Sequence, residues 1–185
     1  MMSSEPIDAQ LIENALAGSE IGQRIVYYPC IDSTNRAALE LAAKDYSHGW
    51  VVLADEQSHG RGRLDRSWES RAGDDILLSI ICYPELAPEE AFRYTMAASI
   101  ALVQALWRTC DIECGIKWPN DILSGGRKLC GILTEAQFDD DPPFMVIGIG
   151  LNANSRMADH GELANTAVSL LDATGQTHDR NQLNI

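Results

Sequence analysis

The sequence predicts an α+β domain, and three observations carry that reading. Apolar residues fill 45% of 185 positions, which suits one compact domain with a real core and leaves little room for a second. Short apolar runs of strand length are interleaved with segments whose apolar residues recur at helical spacing. Ser124-Gly125-Gly126-Arg127 is a turn, after which Leu129 to Gln137 returns as the second strand of a hairpin.

Taken in order, Asp8 to Ala17 has the pattern of a short helix ended by Gly18, and Arg24 to Tyr28 reads as a strand. Asp32-Ser33-Thr34-Asn35 gathers residues that favour helix N-caps. Ala37, Ala38, Leu41 and Ala42 follow at helical spacing, which predicts a helix from Thr34 to Lys44. Its start offers hydroxyls, an amide and unpaired backbone N–H groups. Capping alone accounts for them, and a polar ligand would suit them equally. Trp50 to Ala54 and Ile76 to Tyr83 are strands, so the stretch between them sits at the edge or end of a sheet. Pro88, Glu89 and Glu90 mark a helix start, proline suiting the first turn and the carboxylates the positive end of the dipole. Phe92, Met96, Ile100, Val103 and Trp107 share one face of that helix, expected to pack against the sheet. Asp139-Asp140-Asp141-Pro142-Pro143 is a solvated turn, Phe144 to Leu151 a strand, and Ala167 to Ala173 a short terminal helix. Gly148 and Gly150 within that strand imply close approach by a ligand or a neighbouring part of the chain.

Charge and cysteine usage narrow the class. Fourteen Lys and Arg against 27 Asp and Glu give a net charge of -13, which repels nucleic-acid backbones and anionic membranes. Neither a signal peptide nor an apolar run of membrane-spanning length is present, so a soluble cytoplasmic protein is expected. The five cysteines are an odd set in mostly apolar segments and are expected to be reduced thiols. Cys110 and Cys114 are four apart, but no second Cys or His cluster completes a zinc set, and no metal site is expected.

Against this acidic background, Gln57 to Trp68 places Arg61, Arg63 and Arg66 on a loop with Gly60 and Gly62. Glycines let backbone approach a ligand, and guanidinium forks match phosphate and carboxylate, so the loop reads either as a small-anion site or as a solvated turn. A second stretch, Gly115-Ile116-Lys117-Trp118-Pro119-Asn120-Asp121, must end or bulge its strand at Pro119. Lys117, bracketed by Ile116 and Trp118, is expected to be partly buried and to face an anion, either a protein carboxylate or a ligand.

Five motifs occur in order: Ser33-Thr34-Asn35; Gln57-x-x-Gly60-Arg61-Gly62-Arg63-x-x-Arg66-x-Trp68; Lys117-Trp118-Pro119-Asn120-Asp121; Arg127-Lys128-Leu129-x-Gly131-Ile132-Leu133; and Gly148-Ile149-Gly150-Leu151-Asn152. Together they resemble the biotin protein ligases, each motif weak alone and the set specific. The resemblance implies a mixed, largely antiparallel β-sheet with flanking helices, the fold shared with lipoate ligases and class II aminoacyl-tRNA synthetases. It implies that biotin and ATP, with Mg2+, form biotinyl-5'-AMP, and that the adenylate acylates a lysine in the biotin carrier domain of a carboxylase. It further implies that Lys117, Arg61 and Arg63 are catalytic. Contacts to biotin or the nucleotide would come from Ser33, Thr34, Asn35, Gln57, Gly60, Gly62, Arg66, Trp68, Asn120 and Asn152.

Two departures stand out. Leu64 and Asp65 occupy positions where the family carries Arg and Gly, which is expected to loosen adenylate retention. The family's SH3-like C-terminal domain has no room before Ile185, and no helix-turn-helix precedes the catalytic part, so residues 1–185 are expected to form a single catalytic domain without DNA-binding repression. A lipoate-type acyl transferase and a non-catalytic biotin-binding module stay open beside the ligase. The sequence leaves the oligomeric state open, a homodimer among the options.

Overall fold

Seven strands form one sheet in the order β1-β2-β3-β7-β6-β5-β4. The computed structural model describes residues 6–64, 66–85 and 87–184. The strands are β1 (Ile25–Tyr28), β2 (Val51–Ala54), β3 (Ile76–Cys82), β4 (Gly115–Lys117), β5 (Asp121–Ser124), β6 (Arg127–Gln137) and β7 (Phe144–Leu151). Only β1 and β2 pair in parallel; the remaining neighbours are antiparallel. The mixed, largely antiparallel sheet implied by the family motifs is therefore the one observed. Both central residues of the β5–β6 turn, Gly125 and Gly126, have positive φ (55° and 78°), which the tightest hairpin turns require and glycine supplies without steric cost.

The helices α1 (Ala9–Ala15), α2 (Thr34–Ala42), α3 (Phe92–Cys110), α4 (Leu170–Thr174) and α5 (Arg180–Leu183) flank the sheet. Predicted elements recur within a few residues, except that Pro88–Glu90 is a separate 3-10 turn ahead of α3 and α5 had no sequence signal strong enough to be expected. Alternation along β7 separates two faces: Met145, Ile147, Ile149 and Leu151 join the core under α3, whereas Phe144 and Val146 pack with Ala38 and Ala42 of α2.

One expected packing face is corrected. Phe92, Met96, Ile100 and Trp107 are 53%, 40%, 48% and 57% exposed, so the apolar stripe read as core lies at the surface. Ser99 and Leu106 are the buried residues of α3, helped by Tyr94, Ala98, Leu102 and Val103. Apolar residues surround most of this helix, so periodicity does not choose a face, and polar pairing turns it inward along another. Thr95 Oγ1 lies 2.8 Å from Thr134 Oγ1 on β6, and Ser99 Oγ donates to Thr95 O at 2.8 Å.

The last helix closes the molecule. Arg180 is 3% exposed and bonds Asp55 at the end of β2 through Nη1 at 2.5 Å. Tyr27 of β1 donates to the other oxygen of Asp55, also at 2.5 Å. Burial, then the bond to Asp55, pushes the Tyr27 phenol up to about 12, so it stays a donor. Asn181 accepts from Asp8 N at 2.8 Å, joining α5 to the start of α1. Among the described residues no helix is long and apolar enough to cross a membrane.

Candidate active site

A cleft opens where the sheet face covered by α2 runs out from under that helix. Gly148 and Gly150 continue the β7 face begun by Phe144 and Val146, and without side chains they leave the sheet bare. The space is taken from above: a Cβ on Gly148 would lie 2.0 Å from Asn35 Oδ1, and one on Gly150 2.5 Å from the Trp68 ring. A Cβ on Gly131, the cross-strand partner of Gly150 on β6, would lie 2.9 Å from the same ring. The cleft lies between this glycine floor, the start of α2 and the Gly-Arg loop.

One end is neutral and polar. Gln57 Oε1 accepts from Thr34 N at 2.8 Å and from Thr34 Oγ1 at 3.0 Å. Ser79, fully buried on β3, lies 2.8 Å from Thr34 Oγ1 and 2.6 Å from Asn35 Oδ1. Asn35 Nδ2 donates to Leu133 O at 3.1 Å and to Glu135 at 2.8 Å. Ser33 holds the N-cap position of α2 without a side-chain capping bond. Ser33 lines the cleft, and capping does not account for its hydroxyl.

The other end is cationic. Arg61 pairs with Glu135 at 3.0 Å, Arg63 donates to Asn120 Oδ1 at 2.9 Å, and Lys128 pairs with Asp121 at 2.7 Å. Lys128 Nζ also stands 5.4 Å from the Trp68 ring centroid, within cation–π range. The indole Nε1–H of Trp68 is buried without a hydrogen-bond partner among the described residues, the condition of a donor that a ligand would satisfy. The loop is shaped by its own bonds: Gly62 N donates to Arg66 O at 2.7 Å and Trp68 N to Gly60 O at 2.9 Å. A Cβ on Gly60 would stand 2.4 Å from Trp68 O, so this crossing needs glycine. Such a cleft can hold an uncharged polar group at one end and anionic oxygens at the other.

Residues 27–152, which include every part of this cleft, match the sequence model of the Biotin/lipoate A/B protein ligase family. The chain belongs to that family. It is 41% identical over 162 residues to the bifunctional ligase/repressor BirA of Bacillus spizizenii, covering 86% of this chain and 50% of that protein. The biotin--[acetyl-CoA-carboxylase] ligase of Mycobacterium tuberculosis is 34% identical over 184 residues, 96% of this chain and 66% of its own length. The chain thus spans about half to two thirds of these relatives. Biotin protein ligase from Aquifex aeolicus in complex with biotin and ATP superposes with a TM-score of 0.73 at 28% identity, over 87% of this chain and 65% of that one.

Within this ligase-family fold, Ser33, Thr34, Asn35, Gln57, Arg61, Gly62, Arg63, Trp68 and Asn120 line the cleft. Four others do not. Lys117 is exposed, not partly buried, because β4 is the outermost strand and all three of its residues face solvent. Its cross-strand neighbour Asp121 is taken by Lys128. Asn152 is buried beside the cleft but does not line it; its Nδ2 donates to Lys128 O at 3.3 Å and Val168 O at 3.1 Å, holding backbone. Arg66 is exposed and, with Gly60, lines an outer hollow shared with Arg71 and His160. Asp65 lies outside the described residues, while its neighbour Leu64 is 82% exposed at φ 56°.

Lys128, Glu135 and Ser79 are site residues that sequence reasoning missed. The period of two from Gly131 through Leu133 to Glu135 put Glu135 on the floor's face. Lys128 stood inside the fourth motif, between the Ser124–Arg127 turn and the strand read from Leu129, and was given no role. Ser79 had no local signal, since only pairing brings β3 against the start of α2.

Proposed function

We propose that this chain is the catalytic domain of a biotin protein ligase, joining biotin to a lysine of a carrier domain through biotinyl-5'-AMP. The two-ended cleft carries the reading: a neutral hydrogen-bonding cradle matches a ureido ring, and the cationic end matches a carboxylate and a phosphoryl group. The likeness to the named biotin--[acetyl-CoA-carboxylase] ligase and to a ligase bound to biotin and ATP supports it.

In the first step a carboxylate oxygen of biotin bonds to the α-phosphorus of ATP and pyrophosphate leaves. Two anions must meet, and charge concentrates on the α-phosphoryl oxygens, so positioned cations are the principal need. Arg61, Arg63 and Lys117 supply them, Lys117 from the strand end on its flexible stem. Ser33, Thr34, Asn35 and Gln57 hold the ureido end; Trp68 and Lys128 serve the nucleotide. In the second step a neutral lysine ε-nitrogen bonds to the acyl carbon, the carbon–oxygen bond to AMP breaks, and the amine's proton passes to solvent.

Magnesium is expected to enter with ATP. No three acidic, His or Cys side chains among the described residues converge as a cage for it, and magnesium commonly rides on substrate phosphates instead. A lipoate-type transferase fits less well. Its apolar dithiolane would offer no hydrogen-bond partner to Ser33, whose side chain makes no capping bond, and a polar group left unpaired rejects a ligand more strongly than a missing apolar contact does.

The test is incubation with biotin, ATP and magnesium, following biotinyl-AMP and then biotin on a carrier domain of a biotin-dependent carboxylase. Both products are expected. Tight biotin binding with no adenylate would make the chain a binding module.

A further inference from the structure

Glu135 of β6 serves two walls of the cleft at once. One carboxylate oxygen, Oε1, stands 3.0 Å from Arg61 Nη1 of the Gly-Arg loop. The other, Oε2, accepts from Asn35 Nδ2 at 2.8 Å at the start of α2. A carboxylate only accepts, and so does the carbonyl of Leu133, which takes an Asn35 Nδ2 hydrogen at 3.1 Å. The amide is thereby fixed with Oδ1 toward Ser79 Oγ, 2.6 Å away at the neutral end. Arg61 is held through one nitrogen, which leaves the rest of its fork for a ligand. The strand that carries Glu135 pairs with β5 along one edge and β7 along the other. The loop that carries Arg61 is shaped only by short-range bonds such as Gly62 N to Arg66 O and Trp68 N to Gly60 O. Glu135 therefore ties a loop cation and the neutral end to one strand inside the sheet. The pair adds little to folding, since its side chains are 53% and 22% exposed.

We propose that Glu135 is a positioning residue for the adenylation step, setting the separation between the neutral end and the Arg61 guanidinium. The inference rests on the ligase reading above. Biotin's ring and carboxylate are joined by one carbon chain, so a ring seated at the neutral end delivers the carboxylate within a limited range of distances. A guanidinium on an untethered loop has many conformations to lose before it meets that carboxylate. One tethered to the side chain that also holds Asn35 has fewer, and the two ends of the cleft keep their spacing. In the step itself a carboxylate oxygen bonds to the α-phosphorus, the bond from that phosphorus to the oxygen bridging it to the β-phosphorus breaks, and pyrophosphate leaves. Glu135 touches none of the reacting atoms; it acts through Arg61 and Asn35.

Glu135→Gln keeps an acceptor for Asn35 and withdraws the charge from Arg61. The experiment compares it with Arg61→Met, with the double variant and with the parent chain in three measurements. These are single-turnover adenylate formation with biotin, ATP and magnesium, binding of biotin, and binding of biotinol, which keeps the ring system and carries an alcohol in place of the carboxylate. Glu135→Gln is expected to bind biotinol within about twofold of the parent, to lose about fivefold of the preference for biotin over biotinol, and to form adenylate about tenfold or more slowly. Added to Arg61→Met, the same change is expected to move both readouts by less than about twofold, the non-additivity of two residues that act through one contact. Glu135→Ala, which removes the acceptor as well, is expected to weaken biotinol binding about fivefold. Parent-like adenylation and preference in Glu135→Gln, or losses that add in the double variant, overturn the assignment. Equal weakening of biotin and biotinol by Glu135→Gln overturns it too, as the mark of a residue that only supports the fold. A parent chain that binds biotin but forms no adenylate overturns the ligase reading alone, and the preference for biotin over biotinol then decides the role of Glu135. A parent chain that binds neither compound overturns both.

Discussion

At Lys117 the motif and the burial point in different directions: the residue stands at the solvent-exposed end of β4, yet it opens a motif shared with the ligases. If its flexible stem brings the ammonium to the reacting phosphate, Lys117→Ala lowers adenylation by about 100- to 1000-fold without unfolding the chain. Single-turnover kinetics checks this, and a fall of less than tenfold would leave Lys117 as an edge residue and pass its role to Lys128. Asp75 offers a second test at this scale. It is 1% exposed, and burial pushes its carboxyl from 3.8 up to about 6, against bonds from Ser155 Oγ at 2.7 Å and Ala153 N at 2.9 Å that favour the charged form. The folded chain therefore keeps a proton that the unfolded chain has released. That contribution is complete below the unfolded value and is lost as pH rises through about 6. Asp75→Asn removes it. Urea denaturation from pH 4 to 7 should show the parent losing on the order of 1 to 3 kcal/mol relative to the variant. A constant difference across that range refutes the assignment.

Among the elements, β6 and β7 make the floor of the cleft by what they lack. Gly150→Ala sets a methyl group 2.5 Å from the Trp68 ring, and because the floor is backbone, the ring must move. Overpacking of this kind costs about 1 to 3 kcal/mol. Biotin and ATP binding by calorimetry is expected to weaken by about tenfold, and parent-like affinity would show that Trp68 has room. The Gly-Arg loop is the polar counterpart. It holds itself by the Gly62–Arg66 and Gly60–Trp68 backbone bonds, with Trp68 its one large anchor in the cleft. Much of its ordering should therefore come from bound anions. Trypsin is expected to cut at Arg61, Arg63 or Arg66 in the free chain and several-fold more slowly with biotin plus ATP. Identical rates would count against a ligand-ordered lid.

For the whole molecule, a buried tie runs from α5 to the end of β2, joining Arg180 to Asp55 across 125 positions. The arginine side chain is only 2% exposed. Arg180→Met strands a partly buried carboxylate, and breaking a buried pair on one side costs about 3 to 5 kcal/mol. Thermal unfolding should show a clear loss, largely recovered in the double variant Asp55→Asn/Arg180→Met. A loss below about 1 kcal/mol would mean that solvent replaces the pair. The same scale explains the misread helix. Alone, α3 offers apolar residues around most of its circumference, and the Thr95–Thr134 contact with β6 settles which side faces inward.

By itself, the sequence determined the elements, the family and most of the cleft, because strand alternation, caps, turn glycines and the five motifs are local signals that survive without a partner. Ser33, Thr34, Gln57, Arg61 and Arg63 were legible for that reason. Only the tertiary structure decided the rest. That Gly148 and Gly150 make room for Asn35 and Trp68, that Ser79 meets Thr34, and that Asn152 holds backbone all depend on which strands are neighbours. Lys117 is exposed and Lys128 half-buried because β4 is the sheet's edge while β6 lies inside it. Burial and partner choice are properties of the packed sheet, and no run of residues along one strand contains them.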